Sequence, residues 1–213
     1  MEYYPEFFNS DSFEESKFIV LCSNEYDYNY RWESETAWIK DVLVSTRCID
    51  ENSIVLDWGT GVGRLAKMLI ETFNCKVIGV DISPTMLRHA VNYVNNTDKF
   101  VPVHYNQFME AEVKNQYTCC IATWVLQHSA TSAFDIQKIQ EALVSNGNMF
   151  VLEMSKKCVI AKQNGTTISV DDGVDNKTEL QKYFQPLMLG KLPRKITVEP
   201  IFNDSWWGFL EKM

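Results

Sequence analysis

The stretch best suited to chemistry is Val55-Leu56-Asp57-Trp58-Gly59-Thr60-Gly61-Val62-Gly63-Arg64. An apolar run ends in an acid, and glycines then recur at alternate positions. Glycines so placed let the backbone turn at positive φ and let a ligand approach with no Cβ in the way. A turn of this kind between a buried strand and a helix lies at the carboxyl edge of a parallel sheet, where nucleotides bind. The spacing is Asp-x-Gly-x-Gly-x-Gly. A dinucleotide fingerprint needs its third glycine where Arg64 stands. Further on, Asp81 closes a second apolar run, Val77-Ile78-Gly79-Val80. A carboxylate there reaches the hydroxyls of a ribose held by the first turn and repels a 2′-phosphate. Asp57, Gly59, Thr60, Gly61, Gly63 and Asp81 are thus the first candidate ligand-binding residues.

These residues need strands to carry them and helices to pack the strands. Ile54 to Leu56 reads as a buried strand, and Leu65, Leu69 and Phe73 recur at helical spacing after the glycines. Val77 to Val80 is a second strand. Ser83-Pro84 supplies a cap and a first-turn proline for a helix running to about Val94. Phe100 to Val103 is a third strand, at an edge because it contains Pro102. Cys119 to Ala122 is a fourth. A helix over 132–145 ends at Gly147, and Met149 to Leu152 is a fifth strand. Before these, 33–48 reads as a helix. After them, 156–176 is polar and turn-rich, 178–186 is a short helix, and 196–198 and 206–210 are two final strands. The alternation predicts an α/β fold: a doubly wound, mostly parallel seven-stranded sheet with helices on both faces and an antiparallel edge strand at the C-terminal end. The whole of 1–213 is expected to be one domain, with an N-terminal lid and helix in 1–48, a cofactor-binding core in 50–155, and a variable region with the final strands in 156–213.

Residues 54–90, with LDWGTGVGRLAKMLI followed by VIGVDISPTMLRHA, resemble the class I S-adenosylmethionine-dependent methyltransferases. The likeness continues more weakly through WVLQH at 124–128 to the strand at 149–154. It implies that the region from Asp57 through Gly59, Thr60 and Gly61 to Gly63 holds the methionine part of S-adenosyl-L-methionine, and that Asp81 holds its ribose. By the same resemblance Ile82 and Met86 pack on the adenine. Asn106, Gln107 and Phe108 face the adenine edge, and Thr123 to Gln127, including Trp124, run beside the methyl group. Asn106 replaces an acid often found there, and Trp58 is bulky for its place.

Several side chains carry two readings. His128 is either a general base beside the methyl group or a helix-end histidine that caps or packs, the commoner state of a histidine. Trp124 and Gln127 either line the substrate pocket or pack in the core. Arg31 either pairs with the cofactor carboxylate or forms a surface ion pair with Glu33 or Glu35. The aromatic segment 1–32, with Tyr28, Tyr30 and Trp32, is either a lid contacting substrate or a cover for the sheet. Asp171-Asp172-Gly173 is a turn, since the further oxygen ligands of a calcium loop are missing, and no metal-ligand spacing occurs elsewhere.

The composition narrows the function. The chain of 213 residues has a net charge of −8 and dispersed basic residues, so nucleic acid is an unfavourable substrate. Its apolar runs are strand-sized, and its opening residues lack a secretory pattern. Six cysteines without C-x-x-C spacing suit reduced thiols in a cytoplasmic protein. The Asn/Asp-Pro-Pro-aromatic motif of the enzymes that methylate amino groups of DNA bases and of glutamine is absent, as is the Pro-Cys nucleophile of cytosine C5 enzymes. The expected function is therefore methyl transfer from S-adenosylmethionine to a small molecule. RNA or protein methylation, or a non-catalytic cofactor-binding partner subunit, are the alternatives. Oligomeric state is not legible.

Overall fold

The computed structural model describes residues 2–21, 28–96, 98–193, 196 and 204–213. In chain order the elements are β1 (Glu2–Tyr3), α1 (Phe13–Leu21), α2 (Tyr28–Thr46), β2 (Ile54–Trp58), α3 (Arg64–Phe73), β3 (Lys76–Asp81), α4 (Pro84–Val94), β4 (Phe100–His104), α5 (Tyr105–Glu110), β5 (Tyr117–Thr123), α6 (Ser132–Ala142), β6 (Leu143–Met154), β7 (Val159–Gln163), β8 (Thr166–Val170), α7 (Asn176–Leu180), β9 (Phe184–Gly190) and β10 (Ser205–Lys212). Single 3-10 turns lie at Pro5–Phe8 and Leu126–His128.

Seven strands form one sheet in the order β4-β3-β2-β5-β6-β10-β9. The pairs from β4 to β6 are parallel, and β10 runs antiparallel to both β6 and β9. This is the predicted fold class, with Pro102 on the edge strand β4. Alternate side chains divide between the faces. Val55, Val77, Cys119, Ile121 and Phe150 pack with Ile39 and Leu43 of α2, Leu65 and Leu69 of α3 and Ala90 of α4. Leu56, Val80, Cys120, Met149 and Val151 pack with Phe108 of α5, Ile136 and Ile139 of α6 and Leu180 of α7. The helix ends obey local chemistry. Ser83 accepts from the Met86 amide at the start of α4, and Asn74 and Asn95 take left-handed φ angles to close α3 and α4.

Five expectations are corrected. The helix over 132–145 stops at Ala142, because Leu143 is already paired with Tyr117, so Gly147 lies inside β6 rather than ending a helix. The region 156–176 folds into the hairpin β7–β8. Its turn residues Asn164 (φ 50) and Gly165 (φ 79) both have positive φ, the pairing that a tight hairpin requires. The helix over 178–186 is α7 alone, capped by Asp175, which accepts from the Lys177 amide. The seventh strand is then β9, held by pairs such as Phe184 with Lys212. Ile196 sits in a turn, and residues 197 and 198 of the strand expected there lie outside the described residues. Lastly, the first long helix begins at Tyr28 rather than 33.

Candidate active site

The glycine turn opens at the carboxyl end of β2, the middle strand of the parallel half. The amides of Gly59 and Thr60 both donate to the Val80 carbonyl, at 2.8 and 2.9 Å, which ties the turn to β3. Gly59 has φ 74 and Gly61 has φ 54. A Cβ on Gly59 would collide with Val125, and one on Gly61 would come within 2.9 Å of Val20. The turn is thus crowded from above by the loop after β5 and by α1, and only glycine fits. Asp57 and Thr60 lie beneath it, buried, with the Thr60 hydroxyl donating to Asp57 Oδ2 at 2.7 Å. Burial pushes the Asp57 carboxyl up to about 6.

Asp81 spans the gap between the two strand ends. Its Oδ2 accepts from the Gly61 amide at 2.8 Å and its Oδ1 from the Ser83 amide at 2.9 Å. Burial raises its pKa, against the pull of those two amides. Each carboxylate oxygen keeps a lone pair for a ligand hydroxyl.

A pocket of about 900 Å³, counted with its open mouth, lies over these groups. Of the residues singled out from the sequence, Gly59, Gly61, Asp81, Ile82, Met86, Thr123, Trp124 and His128 line it. Sequence reasoning missed Tyr105, Thr131 and Asp135, which complete one side. It also missed which part of the N-terminal segment covers the pocket: Tyr3, Phe8, Ile19 and Val20 do. Tyr105 follows directly on β4, at the same carboxyl edge as Asp57 and Asp81, and that rule would have found it.

Other candidates sit away from the pocket walls. Gly63 packs on Ala90 and Val94. Asn106 and Gln107 are exposed on α5, while Phe108 is in the core, edge-on to Trp58 at 5.4 Å. Trp58, by contrast, does line the pocket; it is 2% exposed and accommodated by Phe108 and Tyr105. Trp32 packs against Phe13 and Tyr93. Tyr30 is 53% exposed. The Tyr28 side chain and residues 22–27 lie outside the described residues.

Arg31 reaches Glu35, one helical turn along α2, but the pair is buried rather than on the surface. Its Nη1 donates to the Leu21 carbonyl. Glu35 is a hub. It accepts from Arg31 Nε at 3.2 Å, Arg64 Nη2 at 2.7 Å and the Trp124 indole at 3.0 Å. Burial pushes the Glu35 carboxyl up, but Arg64 and Arg31 outweigh it and hold the pKa below the usual range. Trp124, at the end of β5, is held at φ 56, a backbone region uncommon for a non-glycine residue. The indole contact with Glu35 fixes this strained corner where it lines the pocket.

His128 is held on both nitrogens. Nδ1 lies 2.9 Å from the Cys158 carbonyl and so carries the proton; Nε2 then accepts from Gln127 Nε2 at 3.2 Å. The Gln127 amide is oriented because its Oε1 accepts from the Met154 amide. Gln127 is therefore a buried brace between β6 and the loop after β5. Burial keeps His128 neutral by lowering its pKa. A neutral ring whose lone pair is already engaged is poorly placed to accept a proton. His128→Ala is expected to lower stability by about 1–2 kcal/mol. S-adenosylhomocysteine affinity and turnover per folded molecule should change little. A turnover loss of about 10²–10⁴-fold at unchanged melting temperature would instead identify a general base.

Residues 55–147 match the model of a family described as a methyltransferase domain. This span contains the glycine turn, Asp81 and the loop after β5. Residues 55–147 form a class I, Rossmann-like methyltransferase domain. S-adenosylmethionine is the cofactor of such methyltransferase domains. A curated relative, carboxy-S-adenosyl-L-methionine synthase from Idiomarina loihiensis, is 28% identical over 118 residues, 52% of this chain. The chain spans about half the length of that relative, 48%. Among solved structures, the methyltransferase domain and its flanking elements are similar to the PH0226 protein from Pyrococcus horikoshii OT3, with a TM-score of 0.68 at 16% identity, covering 99% of this chain and 100% of that one. They are also similar to magnesium protoporphyrin IX methyltransferase from Synechocystis PCC 6803 with bound S-adenosylhomocysteine, with a TM-score of 0.66 at 14% identity over 98% of each chain. At such identities the structural likeness establishes the fold.

Proposed function

We propose that this chain, acting as one unit over 1–213, transfers a methyl group from S-adenosylmethionine to a small-molecule acceptor in the cytoplasm. The observation that carries the reading is the pocket: a side-chain-free cradle at Gly59 and Gly61, a carboxylate at Asp81, apolar Ile82 and Met86 beside it, and a cover formed by Tyr3, Phe8, Ile19 and Val20. A nucleoside fits these residues. Asp81 offers lone pairs to two ribose hydroxyls, and Ile82 and Met86 offer apolar contact to a base. S-adenosylmethionine supplies an electrophilic methyl on a sulfonium leaving group, so the protein's task is alignment and exclusion of water. The covered pocket suits that task. Among the described residues no lysine or arginine lines it, which disfavours a phosphate backbone. Among the described residues no helix is long and apolar enough to cross a membrane, and Cys48, Cys75, Cys119, Cys120 and Cys158 are free thiols, which supports a reducing compartment.

S-adenosylhomocysteine at 100 times its dissociation constant should add about 2.7 kcal/mol of stability, a melting shift of about 5–10 °C for a protein of this size. NAD should give no shift, and the reverse pattern would overturn the proposal. Asp81→Ala should weaken S-adenosylhomocysteine binding about 10- to 100-fold, since charge-assisted hydrogen bonds are lost. It should also lower stability modestly, because the Gly61 and Ser83 amides lose their acceptor. Wild-type affinity by calorimetry would remove Asp81 from the ribose site.

A further inference from the structure

The pocket holds a second carboxylate that nucleoside binding does not use. Asp135, in the first turn of α6, is 1% exposed and lines the pocket. Its Oδ1 accepts from the Tyr105 hydroxyl at 2.7 Å and the Thr131 hydroxyl at 3.4 Å. Tyr3 stands close to both carboxylates: burial, then Asp135, then Asp81, push its phenol up to about 12. The lysine nearest in effect, Lys157, does not line the pocket; its Nζ is held by Asp172 at 2.7 Å and Ser132 at 2.9 Å. Tyr3 and Tyr105 flank Asp135, and Phe8 lines the same pocket beside His128.

A buried carboxylate with no lysine or arginine among the described residues that line its cavity, and with Tyr3 and Tyr105 beside it, rejects anions and rewards a positive charge. A neutral acceptor would leave that charge unmatched. We propose that the methyl acceptor is a primary or secondary amine, bound as its ammonium ion against Asp135 and the rings of Tyr3 and Tyr105. This inference rests on the methyltransferase reading and names its substrate class. Asp135 is then also the base. The ammonium N–H passes its proton to the Asp135 carboxylate. The freed nitrogen lone pair forms the N–C bond to the methyl while the C–S bond breaks, its electron pair remaining on sulfur as a thioether. The product is an N-methylammonium ion, and Asp135 returns its proton to water, one proton released per methyl transferred. Burial raises the Asp135 pKa, which makes the carboxylate a better proton acceptor than an exposed one.

The test uses the full chain with S-adenosylhomocysteine bound, adding 2-phenylethylamine, tyramine or histamine, and separately phenylacetate, 4-hydroxyphenylacetate or 2-phenylethanol. At least one amine should raise the melting temperature above that of the S-adenosylhomocysteine complex and take up tritium from methyl-labelled S-adenosylmethionine. The acids and the alcohol should do neither. Asp135→Asn should weaken amine binding at least about tenfold while calorimetric affinity for S-adenosylhomocysteine stays within about twofold. Tyr105→Phe, which keeps the carboxylate, should retain amine selectivity and serves where Asp135→Asn folds poorly. Labelling of an acid or alcohol, absence of any amine effect, or amine binding that survives Asp135→Asn each overturns the assignment. Failure of S-adenosylhomocysteine to bind at all removes the methyltransferase reading and this inference with it.

Discussion

Glu35→Ala is expected to cost about 3–5 kcal/mol of unfolding free energy, the usual penalty for removing one partner from a buried ionic cluster. Glu35 is 0% exposed, and Arg31 and Arg64, at 5% and 4%, would be left without their counter-charge. The Trp124 indole would lose its acceptor as well. At about 2–4 °C per kcal/mol, the melting temperature should fall by roughly 10 °C. S-adenosylhomocysteine binding should weaken too, because Trp124 is held at its unusual φ beside the pocket by this contact. Acid should imitate the mutation. The folded pKa of Glu35 lies below its ordinary value, so its contribution is fully present above about pH 4.3 and is lost as pH falls through the folded pKa. A loss under about 1 kcal/mol by denaturant titration would mean that water or rearrangement satisfies both guanidiniums.

Glu153→Gln should have the opposite sign and raise stability by about 2–3 kcal/mol at pH 7. Glu153 lies on β6, 1% exposed. Burial pushes its carboxyl up to about 8, against the hydrogen bond from Asn176. Asn176 Nδ2 donates to Oε2 at 3.2 Å, while Glu153 Oε1 and Asn176 Oδ1 are both buried without a partner. An acid proton on Oε1 offers a donor to this pair, and a glutamine amide supplies the same donor without the protonation cost. Because the folded pKa lies above the unfolded value, wild-type stability should fall as pH rises from about 4.3 to about 8. The glutamine variant should lack that slope. Equal pH profiles for the two proteins would show that Glu153 is not protonated in the folded state.

The parts of the fold that were legible share one cause: local pattern and final environment agreed. The run from Val55 to Asp57 reads as a strand and sits in the sheet centre, and the glycine turn and Asp81 meet because parallel neighbours β2 and β3 end at the same edge. The missed parts depend on partners distant in sequence. Asp135 and Tyr105 are 30 residues apart in sequence and meet because α5 and α6 cover the same face. Tyr3 reaches the pocket through its pairing with Ala161. Arg31 and Glu35 are spaced as a helical pair, one of the readings the sequence offers, but the burial of that pair comes with Arg64 arriving on α3. The hairpin β7–β8 was different: Asn164-Gly165 announces it, and the polar residues around it concealed the signal.

The anchoring of the pocket cover has a kinetic consequence. β1 joins β7 through two residue pairs, Glu2 with Lys162 and Tyr3 with Ala161, and Tyr4 adds one amide to the Ile160 carbonyl. At its other corner, Asn9 accepts from the Ser83 hydroxyl and the Ser10 amide donates to Thr85, both at the N-terminus of α4. So few bonds can part without disturbing the central strands, in the manner of a local opening rather than global unfolding. On the proposed methyl-transfer reading, these ties time traffic through the mouth, and product escape sets the turnover rate. Hydrogen exchange at the Tyr4 amide is the clock for that event. Shortening the β7–β8 bracket, with the chemistry residues untouched, should quicken it.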